Sequence, residues 1–155
     1  MKKADLFYKA ALQFFTFFEK HKLTYKTMPE LIVILMDLYK AGLQLPNVLS
    51  YKKPNATHNR VLNLRIADEV QTEYRQLLFP TYENDEPVGS DFYDDFYDIA
   101  DDLDRGMTAY EAGDAIDAVF RWRQSFNLHT NSHIIGALTA LHALYKDYLI
   151  TAGEW

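Results

Sequence analysis

Six aspartates between residues 91 and 102, and two histidines at 129 and 133, are the groups whose type and spacing could do chemistry. On a helix, Asp91, Asp94, Asp95, Asp98, Asp101 and Asp102 fall within an arc of about 120°. They lie opposite an apolar arc made by Phe92, Phe96, Ile99, Leu103 and Met107. Like charges three and four residues apart repel by a few tenths of a kcal/mol per pair, so such a face carries a local cost. It can be merely solvated, it can present charge to a basic partner, or it can hold a metal, because Asp95, Asp98 and Asp102 converge at i, i+3 and i+7. His129 and His133, at i and i+4, have the spacing of two zinc ligands on one helix. His129-Thr-Asn-Ser-His133 lacks the glutamate of a zincin motif, however. A metal reading therefore uses Asp98, Asp102, His129 and His133.

Rotation separates these alternatives. The histidines share a stripe with Trp122 and Phe126, which reads as core, whereas the aspartates sit opposite the core arc of their own helix. Only Asp95 and Asp102, at the edge of that arc, could bend toward the imidazoles. This favours a non-enzymatic interaction module, with the acidic face turned to a basic protein partner as in small proteins that neutralise toxins. It implies no cofactor. The alternative is a metal-assisted hydrolase with a divalent ion. Trp122, Phe126 and His129 are expected to be structural, and His142 to lie at the core edge. Neither a glycine-rich phosphate loop nor a nucleophile elbow is present.

The elements that must position these groups read as helices. A first helix runs from about Ala4 to Lys20, with five phenylalanines (7, 14, 15, 17 and 18) that predict a sandwiched position. Thr27-Met-Pro-Glu30 has the pattern of a capping box, opening a central helix that Gly42 would stop. Residues 43–64 form an irregular basic loop carrying Lys52, Lys53, His58 and Arg60, the solvated reading being preferred over an anion site. A third helix is expected over Ile66–Leu78, ended by Pro80, followed by an acidic loop to Gly89. The last three helices are expected from Ser90 to Ala112, from Asp114 to about Leu128, and from His133 to Leu149, with a break at Thr130, Asn131 and Ser132. The sum is one all-α domain over residues 1–155, a bundle of five to six helices with no sheet.

The chain has 155 residues, 48% hydrophobic and 25% charged, with no cysteine, which excludes disulfide scaffolds, thiolate metal sites and cysteine nucleophiles. No apolar run approaches the ~20 residues that span a bilayer, and the N-terminus lacks a secretory pattern, so a cytoplasmic location away from membranes is expected. Glu83 to Asp117 holds 13 acidic residues and a single basic one. A nucleic-acid partner is not expected, because phosphate binding needs concentrated positive charge.

From Asp95 to His142 the chain resembles an uncharacterised bacterial family, domain of unknown function 5063. The family shows an acidic D-x-x-D-x-x-x-D-L helix, matched by Asp95, Asp98, Asp102 and Leu103. Gly113 and Ala118 follow, then Trp122, Arg123, Phe126, His129 and His133, then Ala137, Leu138, Ala140, Leu141 and His142. Thr130 and Asn131 stand where the family usually has Trp-Gly. The resemblance implies an all-helical fold and no assigned activity.

Overall fold

The computed structural model describes residues 2–50, 60–76 and 88–154. Helix α1 spans Lys2–Lys20 and α2 spans Met28–Leu43. Two short strands, β1 (Glu73–Gln76) and β2 (Val88–Asp91), precede α3 (Phe92–Glu111). Helix α4 (Ala115–Ser125) passes through a π turn at Phe126–Thr130 into α5 (Asn131–Ala152). Backbone angles remain right-handed helical at Ser125, Phe126 and Asn131. Helices α4 and α5 therefore form one rod, without the expected break.

The fold is thus mostly helical, but the described residues hold four helical rods and a small sheet in place of five to six helices and none. The difference lies in the merging of the last two expected helices into one rod and in the expected helix at 66–78. Leu23 and Ile66 form a parallel bridge, with Leu23 N–H donating to Arg65 O and Ala67 N–H donating to Leu23 O. Glu73–Gln76 pairs antiparallel with Val88–Asp91, Tyr74 facing Ser90. Glu73 and Arg75 are exposed while Tyr74 packs against Phe92. That alternation is a strand period, and pairing with β2 overrides helix propensity. Residues 77 and 78, most of the acidic loop, and Lys52, Lys53 and His58 lie outside the described residues.

Local signals at helix ends held in part. Asp114 caps α4 by accepting from Asp117 N–H, and Gly113 takes the left-handed conformation expected of a stop (φ 84°). The cap of α3 is Asp91, whose carboxylate accepts from Tyr93 N–H, one residue beyond the expected Ser90. At α2 the capping box forms one turn early: Thr24 Oγ1 accepts from Thr27 N–H, and Thr27 Oγ1 accepts from Thr24 N–H. Glu30 is not part of it. Gly42 is not a stop either. It lies inside α2, buried against Phe126, where a Cβ would come within 2.3 Å of the ring.

One hydrophobic cluster joins the helices. All five phenylalanines of α1 are buried, Phe14 and Phe18 against Phe96 of α3, and Phe7 against Trp122 of α4. Helix α2, expected to be central, covers one side only and leaves Val33 and Met36 more than half exposed. Helix α3 is the element that touches most of the molecule, packing on α1, β2 and the whole α4–α5 rod. No helix among the described residues is long and apolar enough to cross a membrane.

Candidate metal centre

The contact between α3 and the α4–α5 rod brings the two groups of chemical residues together. Asp95 and Asp102 are buried, 0% and 5% exposed, and so do not belong to an open acidic face. Asp102 Oδ2 lies 2.9 Å from His129 Nδ1, and Asp95 Oδ1 lies 2.7 Å from His133 Nδ1. Two hydroxyls steady the carboxylates. Thr130 donates to Asp102 Oδ2 at 2.7 Å, and Ser90 to Asp95 Oδ1 at 3.2 Å. Arg105 pairs with Asp101 and stands 3.8 Å from Asp102 Oδ1.

With both Nδ1 atoms turned to carboxylates, the two Nε2 atoms face each other 3.1 Å apart. Asp98, one helical turn from each buried aspartate, places Oδ2 3.5 Å from His133 Nε2 and 4.0 Å from His129 Nε2. The three ligand atoms lie within 4.8 Å of one another. Four ligands at zinc–nitrogen distances stand about 3.3 Å apart on the edges of a tetrahedron. The first two separations match that spacing, and a small rotation of the half-exposed Asp98 side chain closes the third.

Three carboxylates around two imidazoles make this corner favour positive charge, whether a proton or a metal ion. With Nδ1–H of each imidazole given to its carboxylate, both Nε2 atoms point at one point in space, where they can share a proton or a metal ion. Two lone pairs at hydrogen-bond distance repel unless a proton or a metal ion lies between them. The hydrogen bond to Asp95 raises the His133 pKa above the ordinary imidazole value, against the opposing effect of burial, with Asp95, Asp98 and Asp102 adding to the rise. Burial raises the Asp95 carboxyl above the usual range, while its bond to His133 and the charge there pull the other way. The second oxygen of Asp95 is buried and accepts no hydrogen bond from the described residues.

The π turn has a cause visible in the spacing. Trp122, Phe126, Thr130 and Ile134 are all buried, at successive steps of four. Each step of four overshoots an α-helical turn by about 40°, so three of them would drift off the core. A π turn takes up about one extra residue and keeps all four inward. It also sets His129 at the rim of the core, where it is half exposed and not packed as the sequence had suggested.

The six expected face residues therefore divide. Asp95 and Asp102 hold the imidazoles, Asp98 faces them, Asp91 caps α3, Asp101 pairs with Arg105, and Asp94 is exposed. Asp102, a ligand in the alternative metal reading, is instead turned to His129 Nδ1. Trp122 and Phe126 are core, as expected (1% and 2% exposed). His142, expected at the core edge, is exposed. Ser90 and Thr130 were not anticipated as supports. The only signal for them was a hydroxyl one turn from a site residue.

No curated protein and no solved structure matches the chain. The profile of the family described as Domain of unknown function (DUF5063) matches residues 2–147, nearly the whole length, with the Asp95–Asp98–Asp102 helix and the His129–His133 rod inside it. The chain belongs to that family.

Proposed function

We propose that the protein binds one divalent transition-metal ion through Asp98 Oδ2 and the Nε2 atoms of His129 and His133, with coordination positions left for water and a substrate. The observation that carries this reading is the pair of Nε2 atoms 3.1 Å apart whose Nδ1 atoms are both committed to buried carboxylates. A carboxylate behind each metal-ligating histidine orients the ring and raises its basicity. Burying two aspartates to orient two surface imidazoles is costly as pure architecture, and it has a use if the rings are ligands. Two histidines and one carboxylate leave the ion open, as in catalytic rather than structural sites. Such an ion would lower the pKa of its bound water to about 7, which suits hydrolysis. The protein's own part is to hold both rings still, with Asp98 and His133 at the edge of an open cleft.

The interaction-module reading has less support. It needs an open acidic face, and of its six aspartates two are buried, a third faces the histidines, and two more have partners in α3.

The test is metal analysis of protein purified without a His tag or added metal, followed by cobalt titration. We expect one equivalent bound, a melting temperature that falls with chelator, and loss of both in the His129→Ala/His133→Ala double variant. A wild-type protein that takes up no cobalt, zinc, nickel, manganese or iron would overturn the reading.

A further inference from the structure

Resting on that metal reading, the charge around the site points to the class of ligand it admits. We infer that the open coordination positions take an uncharged or cationic ligand, such as an amide or an amine, and turn away phosphate and carboxylate groups.

The site opens into a cleft of about 410 Å³ on the side of β2 and α3. Its walls are Gly89, Ser90, Tyr97 and Ser132, with Asp94 exposed beside His133 and Asp98. Asp94, Asp95, Asp98 and Asp102 bring four carboxylates to the site, and the Asp101–Arg105 pair is internally neutral. A divalent ion thus leaves a net charge of about −2 around its own open positions. The adjoining cleft shares Gly89, Ser90 and Asp94 with this one, and there Arg75 is outnumbered by Glu73, Asp91 and Asp94. A cleft lined by one sign of charge concentrates ligands of the opposite sign and depletes its own. Phosphate sites add Arg and Lys to a helix N-terminus, whereas the α3 N-terminus beside this cleft is capped by the Asp91 carboxylate. Of the hydroxyls in this cleft, Ser90 donates to Asp95 and Ser132 to His129 O, which leaves their oxygens to accept from an amine or amide N–H, while the Tyr97 hydroxyl can donate to a neutral carbonyl. Asp94 is placed to receive a positive group.

Cobalt-loaded protein tests this through the visible absorption of the ion. Imidazole, acetate and methyl phosphate are each titrated at low ionic strength and pH 8, with cobalt retention checked by desalting. We expect imidazole to shift the spectrum at concentrations at least about tenfold below either anion, as a local potential of several kT requires. The Asp94→Asn variant should narrow that gap severalfold, and 0.5 M salt should do the same. Acetate or methyl phosphate acting at or below the imidazole concentration overturns the ligand class while leaving the metal site standing. Absence of any cobalt spectrum overturns the metal reading and this inference with it.

Discussion

Helix α3 meets the α4–α5 rod along one seam whose two halves are built on opposite principles. In the lower half the Trp122 indole lies on Gly106, where a Cβ would come within 2.2 Å of Nε1, and Nε1–H donates to Leu103 O at 2.9 Å. Every polar atom of that contact is satisfied and the rest is apolar area, which holds helices together. In the upper half the same helices meet through Asp102–His129 and Asp95–His133, with two buried carboxylates, one of them half satisfied. Buried ion pairs roughly break even against apolar packing. The lower half stabilises the fold and the upper half positions groups.

The sharpest way to break this contrast is to exchange the effects. Trp122→Ala should cost about 3–5 kcal/mol in urea unfolding, with transfer and cavity terms together. A variant at the wild-type midpoint would mean the lower half does not carry stability. Gly106→Ala should cost about 1–3 kcal/mol through overpacking against the same ring, and a smaller-than-Trp residue at 122 should restore part of it.

In the upper half the expected loss is of metal, not of fold. Asp102→Asn keeps an acceptor for His129 but removes the charge behind it, and should weaken cobalt binding about 10–100-fold. Its metal-free unfolding midpoint should stay level or rise. A large fall in metal-free stability would show that the upper half is ordinary structure after all.

Proton linkage gives a third, smaller contrast. The folded pKa of His133 is raised, so its stabilising contribution is full below the unfolded imidazole value and lost as pH rises through the folded one. Asp95, also raised, acts in the same sense at its own pKa. Metal-free protein should therefore lose stability as pH climbs from about 6 to 8, the span above an unperturbed imidazole pKa of about 6.5. The increment added by metal should grow over the same span, since the ion displaces the proton. Melting curves with and without cobalt at several pH values would check both slopes, and parallel slopes would count against a shared site for ion and proton. The smallest effect is expected from Thr130→Val, which removes one hydroxyl from Asp102 and should lower cobalt affinity a few fold with little change in fold stability.

How much of this was legible in the sequence varies by element. The buried faces of α1 and α3 and the cap at Asp114 followed from local periodicity and chemistry, which these segments share with isolated helices. The strand at Glu73–Gln76 was missed because its partner lies across a connection and its four residues show only one full alternation. The candidate site was half legible. Spacing alone picked out Asp98, Asp102, His129 and His133, of which Asp102 turns to an Nδ1 atom and not to the shared point, and rotation counted against bringing them together. That count assumed that the buried arc of α3 ends where its apolar residues end. In the fold it is wider, with Asp95 and Asp102 buried on one flank and Asp104, in contact with Arg60, on the other. Charged residues can extend a buried face when the neighbouring helix supplies their partners, and no property of α3 by itself announces that.

The π turn has a consequence for chain length. Over the twelve residues from Trp122 to Ile134 an unbroken α-helix would end about 120° out of phase, whereas over eleven it would end within about 20°. Removing one exposed residue from the turn, Leu128 for instance, would therefore let a plain helix satisfy the core on both sides. The fold could be spelled one letter shorter. The surplus letter changes where the imidazole at 129 stands relative to α3, so a single-residue deletion there should yield a protein that folds as well and no longer takes up metal.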